Sequence, residues 1–181
     1  QYMYNTLSIN PAYAGSRDVL SFVGLYRTQW VGLDGAPDTF TFNVHSPIGQ
    51  GEKVGLGLSV IHDEIGPTQE TYIDIDFSYK INTSELGQLF FGVKGGGHFL
   101  NVDYTKLNTY NPSDILLSEN IENKFSPNVG AGVYFRHNDK FYVGLSAPNL
   151  LETKHFGNND QQQASVAKER INLYLISGYV F

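Results

Sequence analysis

Apolar and polar residues alternate with a period of two along most of this chain. The clearest case is Asn128 to Ser146, NVGAGVYFRHNDKFYVGLS. Val129, Ala131, Val133 and Phe135 share one phase, and Asn128, Gly130, Gly132, Tyr134 and Arg136 share the other. A two-residue period puts these sets on opposite faces of a strand. After a turn at Asn138-Asp139 the pattern resumes, with Phe141, Val143 and Leu145 opposing Lys140, Tyr142, Gly144 and Ser146. The pattern predicts an antiparallel hairpin with one apolar face and one face of small and polar residues. Each arm is about ten residues, the length of a tilted strand that crosses a bilayer.

The same pattern predicts about eight strands. The first, Asp18 to Val31, alternates least cleanly, with Leu20, Phe22, Tyr26 and Trp30 on one phase and Arg27 and Gln29 on the other. Asp38 to His45 sets Phe40, Phe42 and Val44 against Thr39, Thr41, Asn43 and His45, and Lys53 to His62 sets Val54, Leu56, Leu58 and Val60 against Gly55, Gly57 and Ser59. Residues 63–69 are expected to connect it to Glu70 to Ile81, where Ile73, Ile75, Phe77 and Tyr79 oppose Asp74, Asp76, Ser78 and Lys80. Gln88 to Val102 sets Leu89, Phe91, Val93 and Phe99 against Gln88, Lys94 and His98, and its three central glycines permit a bend or a close approach by another backbone. A long polar loop is expected from Asp103 to Pro127, before the hairpin, and another from Ala147 to Lys168. The eighth strand is Glu169 to Phe181. Residues 1–17, with Asn10-Pro11 and Gly15 among aromatics, read as an extended segment, a strap across a barrel end.

Two regularities point to a membrane barrel. Connections after the second, fourth and sixth strands are short, whereas those after the fifth and seventh are long, which is the sidedness of an outer-membrane barrel. Apolar-phase aromatics also gather at the short-turn ends: Tyr79, Phe91, Phe135, Phe141, Tyr179 and Phe181. Rings at one height would form an interfacial belt. The opposite phase carries Arg27, His45, Asp74, Asp76, Lys80, Lys94, His98 and Arg136, expected as a polar cluster in the lumen, because charges facing lipid cost about 2–4 kcal/mol near the midplane. The fold expected is thus all-β, an antiparallel transmembrane outer-membrane β-barrel whose roughly eight strands fill 18–181.

Composition narrows the function. A net charge of −6 argues against a nucleic-acid surface. With no cysteine there are neither disulfides nor thiolate metal sites. No apolar run is long enough for a transmembrane helix. Gln1 follows no basic and apolar leader, so it is expected to be a mature terminus or a boundary within a longer chain. Lys94-Gly95-Gly96-Gly97 lacks the spacing of a phosphate-binding loop, and His45, His62, His98, His137 and His155 make no metal-ligand spacing. Asp74 and Asp76 share a face and are expected to pair with Lys or Arg across the lumen. The Asn82-Thr83-Ser84 triplet is common by chance. No catalytic site, cofactor or metal is expected.

Four strings carry a resemblance: QYMYNTLSINPAYAGS, YRTQWVGLDGAP, VGLGLSVIHDEIGP and NVGAGVYF…FYVGLSAPNLL. Together they resemble the PorP/SprF family, outer-membrane proteins associated with the type IX secretion system of Bacteroidota-type bacteria. The resemblance implies a non-enzymatic barrel with its N-terminus in the periplasm, of which these strands form part, because members of the family are usually longer with more strands. Such a barrel helps to export, or hold at the cell surface, a large secreted partner such as a gliding-motility adhesin through its C-terminal domain. It further implies other type IX secretion or gliding components and outer-membrane lipid as partners. Two readings compete with it. One is a soluble calycin-like barrel that binds a small molecule, with its apolar phase turned inward. The other is an outer-membrane hydrolase using His98 and a nearby serine.

Overall fold

The computed structural model describes residues 4–49, 51–106, 120–138, 140–151 and 171–180. Its strands are β1 (Ser21–Thr28), β2 (Asp38–Ile48), β3 (Val54–Ile65), β4 (Thr68–Asn82), β5 (Gly87–Val102), β6 (Ile121–His137), β7 (Phe141–Ala147) and β8 (Tyr174–Tyr179). They lie side by side in chain order as one antiparallel sheet of 8 strands. The sheet curls into a half-barrel. No helix among the described residues is long and apolar enough to cross a membrane.

The polarity of the wall is inverted relative to a globular domain. On the convex side Leu56, Ile75 and Val133 are 40%, 62% and 37% exposed, whereas on the concave side Lys94, Asp74 and Asp76 are 2%, 5% and 0% exposed. Alternation dictates this, because residues that face each other across the ladders fall in the same phase. Leu58 pairs with Ile75, and Phe77 with Val93. Asp76 pairs with Gly57 and Lys94, and Lys94 with Gly130.

Connections sort the two rims. The β2–β3, β4–β5 and β6–β7 connections leave from one rim, and the β1–β2, β3–β4, β5–β6 and β7–β8 connections leave from the other. The 66–67 turn is tight because Gly66 has φ 57 and Pro67 follows, the order a two-residue hairpin turn of type II′ requires.

Several boundaries differ from expectation, each for a local reason. β1 is shorter than 18–31, because Asp18 (φ 57) and Trp30 (φ 51) are left-handed and break the extended backbone on either side. The expected connection 63–69 is mostly ladder: Asp63 pairs with Glu70, Glu64 with Gln69 and Ile65 with Thr68. The expected loop 103–127 ends early, since β6 begins at Ile121 and Phe99 faces Phe125 across β5 and β6 with ring centroids 5.1 Å apart. Its stretch 107–119 lies outside the described residues, as does 152–168 of the second expected loop. β8 spans six residues of the thirteen expected.

β6 runs well past β7, which pairs with it only from Ala131 to His137. There the chain folds inward: Asn128 Nδ2 donates to the Pro148 carbonyl (3.1 Å), and Leu150 N–H donates to the Val129 carbonyl (2.8 Å). Backbone groups two residues apart point the same way, so the odd residues of β6 present theirs to this edge. Pro127 is among them, which leaves the β5 ladder intact at Gly97 and puts no N–H on the edge.

Residues 1–17 were expected to form a strap; its described part, 4–17, runs with Asp18 along the concave face. A short helix, α1 (Thr6–Ile9), and a 3-10 turn at Pro11–Tyr13 pack against β3, β4, β5 and β6. The Asn10 side chain caps the 3-10 turn by accepting from Ala12 N–H (3.0 Å). Ala12, Phe90 and Tyr134 form the one apolar cluster of fully buried residues found among the described residues, flanked by Tyr13, Tyr142 and Ile176. Glycines make the approach possible: a Cβ on Gly92 would collide with Ala12 backbone, and one on Gly55 with the Ala14 carbonyl.

Gly92→Leu should therefore destabilise the fold by about 1–3 kcal/mol through overpacking. Gly24→Leu, where an added Cβ meets open space, should change it far less. Urea midpoints of the two variants in detergent check the contrast.

Candidate functional site

The polar residues of the concave face form three groups around the N-terminal segment. At the centre, Lys94 of β5 points between two carboxylates of β4. Its Nζ is 3.3 Å from Asp74 Oδ2 and 3.4 Å from Asp76 Oδ1, and it donates to the Ser8 carbonyl at 3.1 Å. Ser59 Oγ donates to Asp76 Oδ2 at 3.0 Å. One cation thus serves two buried carboxylates and a backbone carbonyl of the segment. An ion so enclosed is stable only while each partner is in place.

At the short-turn rim, Asp18 receives two cations. Lys80 Nζ is 2.8 Å from Oδ1, and Arg136 Nη2 is 2.6 Å from Oδ2. Arg136 also donates to the Ser16 carbonyl (2.5 Å) and to Gln88 Oε1. Burial alone would push the Asp18 carboxyl up, but hydrogen bonds and charge from Lys80 and Arg136 hold it below its ordinary value. The third group closes the segment against β2. Gly15 N–H donates to His45 Nδ1 (3.1 Å), so the ring nitrogen facing it carries no proton. Asn43 bonds Asn5 side chain to side chain. Tyr13 meets His45 and Tyr134 edge to face, with centroids 5.5 and 5.4 Å away.

The structure therefore gathers Asp74, Asp76 and Lys94 into one cluster and joins Lys80 and Arg136 through Asp18. His45 stands separately, against Gly15. His98 lies nearer the other rim, stacked on Tyr72 (4.3 Å) with Nε2 3.7 Å from Glu70. Arg27 is on the concave phase of β1 but exposed, away from these groups. His98 faces Ser126 across the β5–β6 ladder, yet the Ser126 hydroxyl hydrogen-bonds no protein group. The two are thus not coupled as base and nucleophile. No set of three metal-ligating side chains is placed to hold an ion among the described residues.

Sequence reasoning missed the segment's share of this site. Asp18, Asn10 and the Ser8, Ala14 and Ser16 carbonyls had no periodic signal. The glycines of the concave phase were the available clue, because Gly55, Gly57, Gly92 and Gly132 all lie under the segment. A hollow of about 530 Å³ lies elsewhere: it opens on the convex side among Phe77, Tyr79, Phe91, Val133, Leu145 and Leu173. It presents almost only carbon, which suits hydrocarbon contact and offers no group for chemistry.

A family model described as type IX secretion system membrane protein PorP/SprF matches residues 1–181. Neither a curated protein nor a solved structure matches the chain.

Removing the central cation should strand two buried carboxylates. Lys94→Met is expected to cost about 3–5 kcal/mol in unfolding free energy. Adding Asp74→Asn and Asp76→Asn should restore much of it, which denaturant titration of the single and triple variants checks. At the rim, an Asp18 pKa below its unfolded value means that its stabilisation is complete above about pH 4 and disappears as pH falls through the folded value. Protease cleavage within residues 4–18 should rise as pH drops from about 4 to 2. That pH dependence should vanish in Asp18→Asn.

Proposed function

We propose a role that proceeds from one premise: the chain belongs to the PorP/SprF family of type IX secretion system membrane proteins. It acts as a non-enzymatic outer-membrane barrel wall that supports export, or surface anchoring, of a large secreted partner such as a gliding-motility adhesin. The short-turn rim and the N-terminus lie in the periplasm, and the long connections lie outside. There they meet the partner's C-terminal domain and other secretion or gliding components. The observation that carries the reading is the inverted wall, apolar where it meets lipid and charged where it lines the lumen.

The register supports an aromatic belt at the short-turn rim. Tyr79 faces Phe91; Phe135 lies one alternation nearer the rim, opposite Leu89; Phe141 faces Tyr179 one alternation nearer still. This drift of roughly one residue per strand is what strands tilted by about 35–45° need to keep a row level. Phe181 lies outside the described residues. The lumen cluster of Asp74, Asp76 and Lys94 gives the interior a charged lining that lipid could not solvate. A soluble barrel with a small-molecule cavity would instead enclose Leu56, Ile75 and Val133, which are exposed.

Deleting 107–119 tests the loop's part without cutting β6. Surface display of the cognate secreted protein should fall several-fold on whole cells, while the barrel still fractionates with the outer membrane. Unchanged display would count against that loop as the contact.

A further inference from the structure

The segment 4–18 is bound to the wall in the way a ligand is bound. The strand ladders are continuous beneath it, so the sheet does not depend on it for pairing. Several side chains of the wall reach its backbone. Ser78 Oγ donates to the Ala14 carbonyl (2.6 Å), Lys94 to that of Ser8 and Arg136 to that of Ser16. Its backbone makes the closest approaches, at Ala12 over Gly92 and at the Ala14 carbonyl over Gly55, and both alanine side chains are fully enclosed. Recognition of a backbone, with room only for small side chains two residues apart, is the chemistry of a peptide groove.

The attachment to β1 looks like a latch. Asp18 is left-handed at φ 57, and its carboxylate is pinned by Lys80 and Arg136. Gly15, also left-handed at φ 68, provides a second bend. Loss of the bridge would free Asp18 to extend and the segment to leave. The wall it would uncover carries Asp74, Asp76, Lys94, Ser59, Ser78 and Thr41, groups that water can solvate.

We infer that the concave face is a binding groove for a polypeptide segment with small side chains at alternate positions, occupied here by the chain's own residues 4–18 as a displaceable plug latched through Asp18. The inference rests on the barrel wall and not on which secreted partner the loops meet.

A thiol placed under the plug reports its position. Ser78→Cys substitutes a residue of similar size beneath the Ala14 carbonyl, in the full-length protein folded in detergent. Maleimide should modify it slowly when the latch is intact. It should react at least about tenfold faster with Asp18→Asn added, and likewise with Arg136→Gln, a second variant should the first fold poorly. A synthetic peptide of residues 4–18, added in trans, should slow modification of the unlatched protein back toward the latched rate; a peptide with Ala12→Leu and Ala14→Leu should not. Equal rates with and without the latch would overturn the displaceable plug. Fast modification that neither peptide slows, or that both slow equally, would overturn the groove's recognition of small side chains.

Discussion

A wall one strand thick has no interior of its own. Each residue belongs to one face or the other, and the backbone between them must be satisfied within the ladder. In this chain that constraint meets two environments at once. The convex face is apolar along nearly every strand, while the concave face gathers carboxylates, amines, amides and glycines. Every other feature follows from holding that division over eight strands. The charges pair across neighbouring strands, and the connections divide between rims according to the direction of each strand.

The concave face is not left as an open polar surface. Residues 4–18 fill it, and they do so with helix and turn pieces too short to be stable alone. Their order comes from the wall: Ser78, Lys94 and Arg136 satisfy carbonyls that neither α1 nor the 3-10 turn can satisfy. In return the segment covers the buried amine of Lys94 and brings Tyr13 onto Tyr134. Plug and wall thus supply each other with partners, which explains why a chain with so few buried large apolar side chains still encloses an ordered centre.

Much of this was legible in the sequence because a two-residue period survives without alignment or context. The phases of β2 to β7 could be read directly, and with them the shared face of Asp74, Asp76 and Lys94; that Lys94 stands beside the carboxylates on the neighbouring strand, and not across the lumen, follows only from the register. Ends were less legible. A strand that rises beyond the apolar band loses its alternating signal, so 63–65, 68–69 and 121–127 looked like loop although the ladders continue through them. The left-handed residues that end β1, Asp18 and Trp30, carry no glycine to announce them. The plug was hidden for a different reason. Many of its contacts are made by backbone groups, which have no letter in a sequence.

Pro127 gives the upper part of β6 a further property. Most exposed strand borders can template another strand, and a copy of the same wall is always at hand in a crowded membrane. Here the border above Ala131 lacks a donor at Pro127, and the Val129 carbonyl is already taken by Leu150. A neighbouring strand drawn alongside would meet a gap in its pairing at one residue and an occupied acceptor at the next outward-turned one. Sideways zippering of one molecule onto another is thereby discouraged at this border, by the absence of a single hydrogen atom.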